Sequence, residues 1–330
     1  MKKIHSLVTG GSGFIGSHLC EKLIKLKHKV TVIDNFEVGK KSNLSNILGK
    51  IKIHNADIRN YKKIKKLFHN VDYVLHLAAL ADIVPSIENP TDYYETNVTG
   101  TLNVLKASMK HKVKKFIYTA SSSSYGIPKK YPTPESAKIN PQYPYALTKR
   151  LGEEIVMNFG KIYKLNVTSL RFFNVYGPRA RTSGTYGAVF GVFLAQKLNK
   201  KPLTVVGNGK QRRDFTYVDD IIDAFIVILK NKKTKNEIFN VGSGKTVSVN
   251  KIVKLMKVSK VISIPKRPGE PLQTFADISK IKKVTGWKPK VKIETGVEIM
   301  LKNILDWKKA PLWTPKKIKN ATRVWFKYLK

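Results

Sequence analysis

The sequence predicts an α/β protein: a doubly wound parallel sheet with helices on both faces, followed by a smaller C-terminal domain. Three observations predict it. Apolar runs of strand length alternate with amphipathic helical stretches through the first half. One of those runs, VDYVLHLAA, is almost continuously apolar, as a strand covered on both faces must be. A glycine-rich turn separates the first strand from the first helix.

The elements follow in order. LVTGG (7–11) is a short apolar strand ending in glycine, and FIGSHLCEKLIKLKH (14–28) has helical periodicity. KVTVID (29–34) alternates as a strand; IKIHNAD (51–57) is another, followed by the amphipathic YKKIKKLFHN. VDYVLHLAA (71–79), KKFIYTASS (114–122) and NVTSLRFFNVYG (166–177) read as strands. NVTGTLNVLKASMKHK (97–112) and YALTKRLGEEIVMNFGKIY (145–163) read as the helices between them. After Gly177 the pattern loosens: RARTSGTYG is a loop, AVFGVFLAQKLNK a helix and PLTVVGNGKQRRDF a strand plus turn. VDDIIDAFIVILKN reads as a return to the first domain. The expected division is 1–176 with 214–245 as the larger domain built on the sheet, and 177–213 with 246–330 as the smaller one. The tail 307–330 carries three of the four tryptophans and reads as a helix docking its aromatics on the body or on a partner chain.

Gly10, Gly13 and Gly16, in GGSGFIG, stand between the first strand and the first helix. Glycines there permit a tight turn, close approach to a pyrophosphate and close helix–sheet packing. The helix N-terminus then presents its free N–H groups to the phosphates. This is the dinucleotide-binding arrangement of a Rossmann sheet. Asp34 ends the second strand, 18 residues after Gly16. A carboxylate there accepts hydrogen bonds from a ribose diol and repels a 2′-phosphate. Asn35 and Phe36 follow it, with no arginine directly beside it, so NAD is expected rather than NADP.

The bulk composition excludes several classes. A lone cysteine, Cys20, rules out a disulfide framework or a cysteine-based zinc site and fits a reducing compartment; no metal is expected. The N-terminal stretch lacks the pattern of a signal peptide, and no apolar run approaches the roughly 18 residues of a membrane span. A cytoplasmic protein without membrane association is expected. The formal charge of +40 is spread over helical faces such as YKKIKKLF, and no nucleic-acid recognition motif accompanies it. A solvated surface, and no specific nucleic-acid partner, is the expectation.

Tyr145 and Lys149, in YALTK, share one face of a helix. That spacing alone arises by chance in any basic chain. It coincides here with GGSGFIG at the first turn and with TASSSSYG (119–126) after a later strand. Together these resemble an extended short-chain dehydrogenase/reductase, and more closely the nucleotide-sugar epimerases of the UDP-galactose 4-epimerase type. The resemblance runs from residue 4 to about 307 and includes HLAA, TNVTGTLNVL, LRFFNVYGP, RRDFTYVDD and RPGE.

The resemblance implies NAD as cofactor and a UDP-sugar as substrate. It implies a homodimer through the helices beginning near Tyr93 and Tyr145. Tyr145, Lys149 and Ser121 would be catalytic. Gly10, Gly13, Phe14, Ile15, Gly16, Asp34, Asn35, Asp57, Ile58, Leu77, Ala78, Ala79 and Asn97 would hold NAD, with Asp57 and Ile58 against the adenine. Ser121, Ser122, Asn174, Arg213, Arg267, Glu270 and Thr274 would line the substrate site, the two arginines on the diphosphate. A free tyrosine titrates near 10, so it needs nearby positive charge, from Lys149 and the nicotinamide ring, to act as a base at neutral pH. In the family the sugar is oxidised at carbon 4, the keto sugar rotates, and hydride returns to the other face.

Dehydratases and decarboxylases of this superfamily usually carry a glutamate just after the catalytic Ser/Thr. Here Ser122 and Ser123 stand there, and neither is an acid or base near neutral pH. Epimerisation is the expected reaction, with a uronic-acid epimerase or a dehydratase as the rivals. In the epimerases a tyrosine four residues past the acid of R-P-G-acid closes the pocket to N-acetyl groups. Here that position is Thr274, so both plain and N-acetylated hexoses are expected substrates.

Overall fold

The computed structural model describes residues 3–180 and 188–329. Strand β1 (His5–Thr9) is buried along its length, and β2 (Lys29–Asp34) is buried after its first residue. Their polar members survive burial because they bond to one another or to neighbours: His5 to Thr31, Ser6 to His28, and Thr9 to His76. The later strands are β3 (Ile51–Asn55), β4 (Tyr73–His76), β5 (Lys115–Ser121), β6 (Val167–Phe172), β7 (Asn174–Tyr176), β8 (Leu203–Val206) and β9 (Arg212–Arg213). They are followed by β10 (Phe215–Tyr217), β11 (Glu237–Val241), β12 (Val247–Ser248) and β13 (Val261–Ile264).

Seven strands form one parallel sheet in the order β11-β6-β5-β4-β1-β2-β3. Its two faces can be read from neighbouring residues. Leu7, Val74 and Phe116 enter one apolar cluster with Val104, Val156 and Phe159 of the helices Gly100–Lys110 and Pro144–Ile162. Val8, Leu75 and Ile117 enter the other with Leu19, Leu23, Ile221 and Phe225 of the helices Phe14–Lys25 and Val218–Lys230. Alternation along each strand feeds both cores, which confirms the doubly wound class expected. The strand order reverses between β1 and β4, which opens a crevice at the carboxyl ends of these strands.

Three two-stranded pieces lie outside this sheet: β7 with β10, β9 with β12, and β8 with β13. The strand expected over 166–177 is in fact β6 and β7, broken at Phe173, whose N–H donates to the Val241 carbonyl at 3.0 Å. The helix expected to start at residue 97 is helical from Pro90, with a π-helical segment over Glu95–Thr99. YKKIKKLFHN gives only a short α turn, Tyr61–Ile64, and a 3-10 turn, Lys65–Phe68. Most of the expected loop RARTSGTYG lies outside the described residues. The tail forms two short helices, Pro315–Ala321 and Arg323–Tyr328. Among the described residues no helix is long and apolar enough to cross a membrane, and none of their His, Cys, Asp and Glu side chains group to hold a metal.

Candidate active site

Gly10 turns the chain out of β1 at φ +69°. A Cβ there would sit 2.7 Å from the Ala78 nitrogen, and one on Gly16 would strike the Gly10 carbonyl. The loop can therefore lie against the end of β4 only as glycine. Gly13 caps the helix Phe14–Lys25 without a side chain, so the helix N-terminus stays open. Phe14 and Ile15 begin that helix and are partly buried. Asp34 accepts hydrogen bonds from the Ser12 N–H at 2.8 Å and the Phe36 N–H at 2.9 Å. Burial pushes its carboxyl up, and these bonds oppose the push.

A cavity of about 100 Å³ opens here. Gly10, Gly13, Asp34, Asn35, Asp57, Ile58, Leu77, Ala78 and Ala79 line it, nine positions expected to hold the cofactor. Asn97 stands behind the wall: its amide accepts from the Leu80 N–H at 2.9 Å and donates to the Leu80 carbonyl at 3.0 Å, fixing a residue that does line the cavity. Thr96, Glu37 and Val38 also line it; Thr96 opens the TNVTGTLNVL motif but is not singled out by it, and the other two lie in no motif.

The cavity suits NAD. The Thr96 hydroxyl is buried at its edge without a partner in the protein, as a group reserved for a ligand would be. Asp34, Glu37 and Asp57 set carboxylates around one end. The nearby guanidinium of Arg59 is held by Asp57 at 2.6 Å and lies 3.6 Å from Glu37. A 2′-phosphate would meet that acidic set with its one close arginine already paired.

Pro144, at the first turn of the helix Pro144–Ile162, puts Tyr145 at the helix entrance and Lys149 one turn in. Lys149 is 4% exposed. Its ammonium lies 4.4 Å from the Tyr118 ring centroid. Burial lowers its pKa to about 7, against the opposing pull of Glu153. The Tyr145 hydroxyl is raised by burial, and hydrogen bonds with Ser121 and Ser123 hold it down in part. Ser121 ends β5, and its Oγ is 2.8 Å from the Ser123 Oγ. Ser122 lies between the two in the same turn. Ser123, set aside in the sequence as unable to act as acid or base, is thus a second hydroxyl on the tyrosine.

A second cavity, about 170 Å³, is lined by Asn174, Arg213, Phe215, Arg267 and Glu270 among others. Glu270 bridges both arginines, at 2.9 Å from Arg213 and 3.1 Å from Arg267. Thr274 is not part of this lining. Its hydroxyl donates to the Asn174 side-chain oxygen at 2.8 Å and accepts from the Asp214 N–H at 3.1 Å, so it acts on the wall through Asn174.

Residues 6–242 match the model of the NAD dependent epimerase/dehydratase family. The chain belongs to that family. It is an NAD-dependent enzyme of the epimerase type. It is 36% identical over 310 residues to a putative UDP-glucose 4-epimerase of Methanocaldococcus jannaschii, covering 92% of this chain and 98% of the relative. Among solved structures it is similar to the UDP-N-acetylglucosamine 4-epimerase of Methanobrevibacter ruminantium in complex with UDP-N-acetylmuramic acid. The TM-score is 0.86 at 34% identity, covering 94% of this chain and 99% of that one. It is also similar to the UDP-glucuronic acid 4-epimerase of Bacillus cereus in complex with UDP-glucuronic acid and NAD. There the TM-score is 0.85 at 34% identity, with 92% and 99% covered. The expected family, fold and cofactor therefore hold. These neighbours differ in their sugars, so this epimerase-family chain's substrate rests on its own residues.

Proposed function

We propose that the protein epimerises carbon 4 of a UDP-hexose through a transient 4-keto sugar, accepting UDP-glucose/galactose and the N-acetylhexosamine pair. The observation that carries the reading is the surroundings of Tyr145: Ser121 and Ser123, with their hydroxyls 2.8 Å apart, are the side chains that hold its hydroxyl down, with no carboxylate acting on it among the described residues. A tyrosine flanked by serines moves a proton on one carbinol; removing water or carbon dioxide calls for a further acid or base. NAD, when bound, supplies hydride acceptance and return at the same carbon.

Tyr145 takes the proton of the substrate hydroxyl and gives it back, so no net proton is used. Ser121 and Ser123 hold that hydroxyl's oxygen. Lys149, buried beside Tyr118, favours the phenolate when charged and would bond the nicotinamide ribose of bound NAD. Burial acts against the phenolate, and the positive charge that oxidised NAD would bring would oppose that push. Asn174 and Phe215 face the substrate, and Arg213 and Arg267 bind its diphosphate, exchanging Glu270 for phosphate oxygens.

Strand β11 closes the central sheet, while the pairs β8–β13 and β9–β12 stand apart from it. This supports a cofactor domain of 1–176 with 214–245 and a substrate domain from the remainder. We place the protein in the cytoplasm, as a homodimer, serving surface-sugar synthesis. Incubating the enzyme with UDP-glucose, UDP-N-acetylglucosamine and UDP-glucuronic acid, with products read by NMR, tests the reading. C4 epimers of the first two are expected. Epimerisation of the glucuronate alone, or a dehydrated or decarboxylated product, would overturn it.

A further inference from the structure

The C-terminal helix Arg323–Tyr328 lies at the substrate site rather than away from it. Its Trp325 is 2% exposed. The indole N–H donates to the Pro268 carbonyl at 2.8 Å. The ring faces the Arg267 guanidinium, 5.2 Å from the centroid, within the about 6 Å reach of a cation–π contact. Its other neighbour is Tyr143, at 6.4 Å between ring centroids, and Tyr143 in turn stacks on Tyr145 at 6.3 Å and 10°. Leu329 approaches the same loop, its Cβ 3.9 Å from where a Cβ on Gly269 would lie. The helix also packs on Ile83–Glu88, which belongs to the segment after β4.

The loop 267–270 has no regular structure of its own. It supplies Arg267 and Glu270 to the substrate cavity. The tail touches it at Arg267, Pro268 and Gly269, between the cofactor half of the chain and the substrate side. The Glu270 carboxylate holds the guanidinium from one side at 3.1 Å, and the indole adds a second restraint, so less conformational freedom is lost when a ligand is met.

We propose that Trp325 is a positioning residue of the substrate site: the tail sets its indole against Arg267 so that the guanidinium is already aimed at the diphosphate of the nucleotide sugar. The proposal rests on the reading of the substrate as a UDP-sugar. It makes the tail 308–329 part of the binding machinery, which no motif in that stretch announces. Trp325 acts through Arg267.

UDP is the probe, with affinity read by calorimetry on the NAD-loaded full-length enzyme and kinetics read with the epimerised sugar. Trp325→Leu keeps apolar bulk and removes the ring face; Trp325→Phe keeps a ring face and removes the N–H. Trp325→Leu is expected to weaken UDP binding and raise KM about tenfold with kcat changed less than about twofold, and Trp325→Phe to retain most of the affinity. In an Arg267→Ala background, Trp325→Leu is expected to add almost nothing. The proposal is overturned if the Leu and Phe variants bind UDP equally, or if Trp325→Leu has its full effect without Arg267. Should the Leu variant fail to fold, Trp325→His against Arg267→Ala gives the same cycle, and additive losses overturn it. A wild-type enzyme that holds NAD and binds no UDP refutes the UDP-sugar reading itself, and this proposal with it.

Discussion

Tyr145 sits among other aromatics, edge-on to Tyr93 and stacked on Tyr143, with serine hydroxyls at its own. Those rings fix its position, while burial opposes its ionisation. Tyr145→Phe keeps the ring and loses the proton acceptor. It is expected to lower kcat at least about a hundredfold while NAD stays bound, as absorbance of the purified variant and its turnover will show. Near-normal turnover would remove Tyr145 from the chemistry. Thr274 presents a different problem, because its hydroxyl spans Asn174 and Asp214 rather than facing the cavity. Thr274→Tyr adds a phenol ring beside Asn174 and breaks that bond. The ratio of kcat/KM for the N-acetylated over the plain sugar is expected to fall at least about tenfold, the scale of one steric misfit in a pocket. An unchanged ratio assigns the size filter elsewhere. The sequence singles out Tyr145, Lys149 and Ser121 because their motif is local. Ser123 and Thr96 lie within TASSSSYG and TNVTGTLNVL but are not singled out there, because their placement depends on a 3-10 turn and a π-helical segment.

At the scale of elements, the helix Pro144–Ile162 must hold its register for Tyr145 and Lys149 to face the crevice. Glu153 does this from the interior. It accepts from Ser169 at 2.6 Å and from Arg171 at 2.7 Å, both on β6. Burial pushes the Glu153 carboxyl up, and the Arg171 guanidinium with Ser169 more than offsets it, so its pKa is lowered. Glu153→Leu would leave the Arg171 guanidinium buried against only Tyr125 and the Glu135 carbonyl. A loss of about 3–5 kcal/mol in denaturant unfolding is expected, with activity falling as the helix shifts. A loss below about 1 kcal/mol would show that the pair is dispensable. The central strands and this helix were legible because burial on both faces writes continuous apolar runs. The Glu153–Arg171 pair was not, since its members belong to elements of different period. The π-helical segment and the split of β6 from β7 escaped for a related reason: both sit where residues distant in sequence are hydrogen-bonded, Asn97 to Leu80 and Phe173 to Val241.

Two properties belong to the molecule as a whole. Tyr94 and Met109 on one helical stretch, with Leu147 and Ile162 on the next, are large apolar side chains that remain exposed, from 37% to 56%. These stretches pack together, so their outer faces offer a surface that a second copy would cover as a four-helix bundle. Sedimentation at micromolar concentration is expected to give a dimer, and Leu147→Glu a monomer; a wild-type monomer ends the idea. The charge is the other property. Sixty-two Lys and Arg against 22 Asp and Glu leave +40. Ion pairs such as Lys302–Glu298 leave that excess untouched, because each takes one charge of either sign. Like charges this dense repel across the surface, and the repulsion is greatest in the compact state. Salt shortens its range from about 30 Å at 0.01 M to about 8 Å at 0.15 M. The Tm of the NAD-loaded enzyme is therefore expected to rise by at least about 2 °C over that interval of sodium chloride, with the same rise in potassium chloride. A flat or falling Tm would mean that the excess charges stand too far apart for their repulsion to cost the fold anything at low salt.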